Sequence, residues 1–315
     1  MDRLESQLRK KAIELLEKGE VDVVIGWGQS WNPTKATPLF ARSREDAEKL
    51  TFNQFCFNNL AVYLPRLKEK AAVFTKACEA GSIVALLAEG KINRDKVYIV
   101  GVACPGVVDS IKLEEAVGGT DEATEAYLEG ADVAVKFGEE EKRVPFADVV
   151  LDQCLNCDIQ EQTFCDVMIG GLAQTPQGEA QPAIPEDADA AWWREFWAKE
   201  FSRCIRCYAC REACPACYCR DDCAAQSVRE KWTDVTTGAQ EALMFHSLRA
   251  MHVAGRCIEC GACERACPVG IPLTLLHKQV GKAVKKLFNF KAGERIDERP
   301  PLETFQKEEL EKSGR

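Results

Sequence analysis

Leu4, Leu8, Leu15 and Leu16 recur near helical spacing over residues 3–18, and Gly19 ends the run, which predicts an opening helix. A short apolar run, Val21–Ile25, flows into a loop over residues 26–40 that is rich in Gly, Pro and Asn. Residues 43–50 and 54–64 carry helical patterns. Ala71–Thr75 and Val97–Val102 are further apolar runs of strand length, with a helix predicted between them over Gly81–Glu89. These two strands run into cysteine turns, at Cys78 and at Cys104. Strand, loop, helix and strand in alternation predict an open α/β sheet, which carries its site at the carboxyl ends of its strands. The α/β domain is assigned to residues 1–172.

The pattern then changes. Gln174–Ala190 is rich in Pro, Ala, Gln and acid without an apolar period, and residues 173–191 read as a linker. Residues 192–292 read as an α-rich domain and residues 293–315 as a charged, Pro-containing tail. Trp192, Trp193, Phe196, Trp197 and Phe201 predict a helix packing its rings over a core, with a partner surface as the other reading. Glu241–Val253 is a further predicted helix. Between Glu114 and Glu141 ten acids stand against Lys136 alone, read as a solvated acidic face or a docking surface for a basic partner.

Composition narrows the classes. A net charge of −9 and the lack of a basic stripe argue against nucleic acid. No uncharged apolar stretch approaches the roughly 18 residues of a spanning helix, so no direct membrane insertion is expected. The charged N-terminus has no apolar signal core. The 17 cysteines are therefore expected to be metal ligands or reduced thiols in a reducing cytoplasm. Oxygen-sensitive metal clusters would suit an anaerobe.

Two cysteine runs carry the chemistry. They are Cys204-x2-Cys207-x2-Cys210-x3-Cys214-Pro215 and Cys257-x2-Cys260-x2-Cys263-x3-Cys267-Pro268. In this spacing three thiolates hold one iron–sulfur cube and the fourth, before proline, reaches to the partner cube. Cys204, Cys207, Cys210 and Cys267 are thus expected on one [4Fe-4S] cluster, and Cys257, Cys260, Cys263 and Cys214 on the other. A structural zinc site would not need the third cysteine, the x3 step or the proline in either run. The long segment between the runs, Pro215 to Arg256, suits a helical dicluster module more than a compact ferredoxin. The fold class expected is an α/β N-terminal domain with an α-rich dicluster ferredoxin-like domain.

The other cysteines stay open. Cys217, Cys219 and Cys223 follow the first run and read equally as ligands of a further metal or as buried thiols. Cys154-x2-Cys157, with Cys56, Cys78 and Cys104, supplies enough thiolates for a third cluster, Cys154 and Cys157 being its first candidates. Core thiols are the competing reading. His246, His252 and His277 are expected in structural roles. There is no Walker loop, no Ser/His/Asp pattern and no GxGxxG after a strand.

At this point the residues resemble a known family. Val24-Ile25-Gly26-Trp27-Gly28, Thr37-Pro38-Leu39-Phe40, Asn58–Leu64, Thr75–Cys78, Ile99–Gly106 and Cys154-x2-Cys157 followed by Asp166–Gly170 resemble the β subunits of coenzyme F-420 (deazaflavin)-reducing hydrogenases and formate dehydrogenases. Cys204–Cys223 and Gly255–Leu273 resemble the dicluster part of relatives associated with heterodisulfide-reductase-like or formate dehydrogenase complexes. The resemblance implies an iron–sulfur flavoprotein subunit that shuttles electrons between partner redox subunits and a two-electron carrier, commonly through FAD. The chain departs from the family in that its ferredoxin module follows the α/β domain. The acidic segment 112–143 also stands where more fold is expected. The reading is an electron-transfer subunit of a cytoplasmic redox complex, with two [4Fe-4S] clusters and either FAD or a third cluster as the other terminal. The alternatives are a stand-alone flavin/iron–sulfur reductase, acting on a small substrate at the Cys78/Cys104 edge or on the deazaflavin coenzyme, and a non-redox interaction protein with structural or sensory clusters. A sensor needs only one cube, so the matched pair favours transfer.

Overall fold

The computed structural model describes residues 2–157, 164–171, 173–179, 184–185, 188–219, 223–225 and 236–303. Parts of the linker assigned to 173–191 and of the tail assigned to 293–315 therefore lie outside the described residues. The chain divides into two compact units, Met1–Ala80 with Arg94–Glu186, and Gly81–Asn93 with Asp187–Arg315.

The first unit opens on helix α1 (Asp2–Glu17), which buries Leu8, Ala12 and Leu15. Strands β1 (Val23–Gln29) and β2 (Ala36–Ala41) follow, then the short helix α2 (Arg44–Ala47) and β3 (Leu50–Thr51). β4 (Ala71–Lys76) leads straight into α3 (Ala77–Ala88), whose residues from Gly81 on belong to the second unit, and β5 (Val97–Val102) follows. Next come α4 (Ser110–Val117), β6 (Glu125–Glu129), β7 (Asp132–Phe137), β8 (Glu140–Pro145), α5 (Phe146–Val149) and β9 (Val167–Ile169). The main sheet runs β2-β1-β4-β5-β9, with β3 also paired to β1. β1, β4, β5 and β9 are parallel, while β2 and β3 run antiparallel to β1. β1 and β4 are buried along almost their whole length, as apolar strands of a parallel sheet are. Packing is tight where β1 passes β3 and β4. A Cβ on Gly26 would stand 2.5 Å from Leu50 Cδ2 and 2.8 Å from Phe74 Cδ2, both side chains being fully buried. Gly26→Ala is accordingly expected to cost about 1–3 kcal/mol, measured as a lower denaturation midpoint; an unchanged midpoint would show that the two side chains can withdraw.

Three expectations change. The loop at 26–40 is largely sheet, because β1 continues to Gln29 and β2 pairs with it through Pro38 opposite Trp27. The helices at 43–50 and 54–64 shrink to α2 and a 3₁₀ segment, Leu60–Arg66. The acidic segment is a three-stranded antiparallel sheet, β6-β7-β8, so the fold missing between 112 and 143 is present. Val133 and Val135 point into a core with Leu113, Val117, Phe146 and Val150, and the acids of β6 and β8 lie outside it.

The second unit is α-rich, as expected. It contains α6 (Ala190–Ser202), α7 (Ala209–Glu212), α8 (Ala239–His252), α9 (Ala262–Arg265) and α10 (Leu273–Phe288), and no strand among its described residues. Two of the five rings of α6 meet the core that holds Cys210, Cys223, Cys263 and Cys267, Phe201 within it and Trp197 against it, while Trp192, Trp193 and Phe196 pack on one another and on Trp197. No described helix is long and apolar enough to cross a membrane.

Candidate iron–sulfur sites

The two cysteine runs fold alike. In each, the second residue after the first cysteine takes a left-handed conformation, Arg206 (φ 54°) and Glu259 (φ 58°), and so does the residue after the second cysteine, Tyr208 (φ 62°) and Gly261 (φ 69°). These turns bring amides onto sulfur: Arg206 N donates to Cys204 Sγ at 3.4 Å and Glu259 N to Cys257 Sγ at 3.3 Å. The third cysteine of each run, Cys210 or Cys263, then sits on a one-turn helix, α7 or α9, and these helices pack on each other. Ile271 N adds a bond to Cys267 Sγ at 3.4 Å.

Each fourth cysteine acts on thiols of the other run. The thiols acting on Cys204 include Cys267 and Cys207, and those acting on Cys210 are Cys267, Cys204 and Cys207. Those acting on Cys257 are Cys214, Cys263 and Cys260. Cys263 feels Cys214, Cys260 and Cys210, so the two groups adjoin. Burial pushes the Cys210 thiol up to about 11 and the Cys263 thiol up to about 12. Cys214 moves the other way, to about 6, because it accepts a hydrogen bond from Cys217 and because Arg249 stands beside it. Of the eight thiols, only Cys207 is exposed.

Helix α8 supplies the surrounding polar groups. His246 Nε2 lies 3.4 Å from Cys204 Sγ, and its ring stacks on Phe201 at 4.5 Å between centroids. Arg249 reaches His277 Nε2 at 2.9 Å and the Cys210 carbonyl at 3.2 Å. Burial and the Arg249 charge hold both His246 and His277 down at about 3, so both imidazoles are neutral. His246 and His277 are thus buried beside the thiols, while His252 is exposed. Several buried polar atoms here lack a hydrogen-bond partner among the described residues: Arg206 Nε, Arg249 Nε, Thr274 Oγ1 and the Nδ1 atoms of His246 and His277. Unpartnered buried groups are costly, and donors gathered around thiols suit an anionic, sulfur-rich group. No three described His, Cys, Asp or Glu groups converge closely enough for a single metal ion. A cube asks for something different, four thiolates on separate iron corners.

The three extra thiols divide. Cys217 is buried and bonded to Cys214, whereas Cys219 is exposed and pairs with the buried Cys223. Residues 220–222, between that pair, lie outside the described residues.

In the first unit the structure gathers Cys56, Cys78, Cys104 and Cys154. Cys104 and Cys154 act on Cys78, Cys154 on Cys104, and Cys104 on Cys56. Cys104 follows β5, while Cys78 lies in the first turn of α3 rather than in a turn before it. Burial pushes Cys56 and Cys104 each up to about 12 and Cys78 well above its usual value. Cys157, partly buried, borders residues 158–163, which are outside those described. A lysine stands among the thiols. Lys76, 1% exposed, donates to the carbonyls of Cys56 (2.7 Å) and Asn58 (3.3 Å), pairs with Glu79 at 3.0 Å and lies 4.5 Å from the centroid of the Trp27 ring. Sequence reasoning passed over Lys76, although a single charge closing an otherwise apolar strand was the available signal.

At the carboxyl ends of β5 and β9 there is also a cavity of about 630 Å³, bordered by Arg3, Gln7, Asn53, Gln54, Pro105 and Gly170 among others. Gln54 is 5% exposed, and its Oε1 has no hydrogen-bond partner among the described residues.

Residues 200–271, spanning both cysteine runs, match the family model of the 4Fe-4S dicluster domain. The β subunit of the F420-dependent formate dehydrogenase of Methanocaldococcus jannaschii is 24% identical over 352 aligned positions, covering 91% of each chain. The corresponding subunit of F420-dependent formate dehydrogenase 1 of Methanococcus maripaludis is 26% identical, covering 91% of this chain and 90% of the relative. Among solved structures, a chain of the F420-reducing [NiFe] hydrogenase complex of Methanosarcina barkeri aligns with a TM-score of 0.39 at 20% identity, over 51% of this chain and 65% of that one. Over 91% of its length the chain is similar to F420-dependent formate dehydrogenase β subunits, and residues 200–271 carry the match to the 4Fe-4S dicluster domain.

Proposed function

We propose that the chain is an iron–sulfur electron-transfer subunit of a cytoplasmic redox complex of the formate dehydrogenase, hydrogenase or heterodisulfide-reductase-like type, associated with other redox subunits. The observation that carries this reading is the crossed arrangement of the thiols. Cys267 acts on Cys204 and Cys210 of the first run, and Cys214 acts on Cys257 and Cys263 of the second. With Cys207 and Cys260, those would be the two ligand sets, and bound [4Fe-4S] cubes would supply one-electron carriers there. The backbone amides of Arg206, Glu259 and Ile271 and the buried donors of α8 favour thiolate at the ligating sulfurs. The homology to subunits of F420-dependent formate dehydrogenases supports a place within a complex.

The other terminal would lie in the first unit. Cys56, Cys78, Cys104 and Cys154 around Lys76 support a third cluster, with Cys157 as a further ligand. The cavity at the carboxyl ends of β5 and β9 supports FAD. The stand-alone reductase acting on a small substrate or on the deazaflavin coenzyme is the second reading, favoured by that same cavity at the carboxyl ends of the strands. Iron, sulfide, zinc and flavin content of protein purified without oxygen tests these assignments. About eight irons without flavin is the result expected of a two-cluster relay, and about twelve irons or one flavin adds the second terminal. Zinc in place of iron would overturn the reading. Turnover of a small substrate by the isolated chain with an artificial donor would replace it with the reductase.

A further inference from the structure

We infer that His246 donates a hydrogen bond from Nε2 to the sulfur of Cys204, and that this bond raises the potential of one iron–sulfur site and not the other. The site concerned is the one proposed for Cys204, Cys207, Cys210 and Cys267, so the inference rests on the dicluster reading above and goes beyond it. His246 lies on the buried face of α8 with Ala242, Phe245 and Arg249, and is 2% exposed. Its Nε2 stands 3.4 Å from Cys204 Sγ, the one hydrogen-bond partner of this ring among the described residues. Two aromatic rings fix its plane. Phe201 stacks on it at 4.5 Å between centroids with 10° between the planes, and Phe245 meets it edge-on at 5.0 Å. The imidazole therefore has little freedom to turn away from the sulfur.

The chemistry of the two partners decides which one donates. A ligating thiolate has no proton and only accepts, so the N–H must be on Nε2. Nδ1, which has no hydrogen-bond partner among the described residues, is then a bare acceptor. A proton on Nδ1 would instead bury an unpaired N–H and set the Nε2 lone pair against an anionic sulfur. Arg206 N donates to the same sulfur at 3.4 Å, so two donors converge on Cys204. Cys257, its counterpart in the second run, receives the matching amide from Glu259 at 3.3 Å. The chain has three histidines; His252 is exposed and His277 faces Arg249. Among the described residues the bond from imidazole to sulfur therefore belongs to the first run alone. Hydrogen bonds to sulfur are one means by which a protein moves a cluster potential. A donor aimed at sulfur stabilises the state with more negative charge, which is the reduced one. A donor added to one ligand set should raise one midpoint and leave the other.

The test uses the full chain purified without oxygen, with iron and sulfide content measured beside EPR-monitored redox titrations. Wild type and His246→Gln, whose amide N–H can stand in for Nε2, should each hold about eight irons and titrate at similar potentials. His246→Leu removes the donor and keeps an apolar filling. It should hold the same iron while one midpoint falls by about 59 mV, a tenfold change in that one-electron equilibrium, and the other stays. Full iron with both midpoints unmoved, or with both lowered alike, would overturn the proposal. So would an equal fall in His246→Gln, which would assign the shift to packing. Should His246→Leu fail to load iron, wild-type protein isotopically labelled at its histidine nitrogens alone decides. Pulsed EPR should then show a histidine nitrogen coupled to one reduced site; no coupling, or coupling at both sites, would overturn the proposal. Wild-type protein lacking about eight irons would remove the dicluster reading and this proposal with it, a different result from loaded sites with unmoved potentials.

Discussion

Replacing Cys267 by alanine is expected to empty the site formed by Cys204, Cys207 and Cys210 and to spare the one formed by the other cysteines of its own run. Cys267 acts on Cys204 and Cys210, and Cys214 acts on Cys257, across the two runs. Iron should fall from about eight to about four atoms per chain. Double variants identify which site is lost, since changes within one unit do not add whereas changes in separate units do. Cys267→Ala with Cys207→Ala should leave about four irons, and Cys267→Ala with Cys260→Ala almost none. The reverse outcome would mean that each run holds its own cube with no exchange of ligands. The loss should also be visible as instability, because ligand bonds are folding energy where the core is built around them. Cys210, Cys263 and Cys267 are themselves part of the apolar core of the second unit.

The second large effect is expected at Lys76. Its ammonium is nearly inaccessible, satisfied by two carbonyls, by Glu79 and by the face of Trp27. Lys76→Met removes the partner of a carboxylate whose side chain is 1% exposed. Breaking a buried pair on one side costs about 3–5 kcal/mol, which corresponds to a fall in Tm of roughly 10 °C. Removing both charges in Lys76→Met with Glu79→Gln should recover part of that loss. A single variant as stable as wild type, in thermal or urea unfolding, would show that Glu79 is neutral in the folded chain. Lys76 also lowers the Cys56, Cys78 and Cys104 thiols against their burial, so the same variant should make those sulfurs poorer ligands.

Much of this was legible in the chain because the signals were local. Ala71–Thr75 and Val97–Val102 are continuous apolar runs, and β4 and β5 occupy them almost residue for residue. The cysteine spacing carried the two thiol groups, since a ligand bite is set within a few residues. What failed was governed by partners distant in sequence. β2 contains Pro38, which argues against a central strand, yet β2 lies at the end of the sheet order, where proline is tolerated. In residues 125–145 the acids hid a short buried run, Val133–Val135, whose partners Leu113 and Phe146 come from α4 and α5. Cys78 was placed in a turn although no residue there marks one, and the strand passes directly into α3. The amphipathic α10 was overlooked in the shadow of the second cysteine run. Arg249 and His277 are 28 positions apart, and nothing in either segment alone brings them together.

The left-handed turns inside the cysteine runs bear on how long the protein lasts in a cell. Arg206, Tyr208 and Glu259 hold positive φ without being glycine, at a cost on the order of 1–3 kcal/mol each. That strain is tolerable only while the sulfurs around it are tied to something. With iron bound at these sulfurs, its loss would release the tie and let the turns relax, and segments that were closed would become substrate for proteases, which cut opened chain in preference to folded chain. The lifetime of the chain thereby becomes a gauge of its metal supply: copies that fail to acquire iron, or that lose it to oxygen, are the ones cleared first.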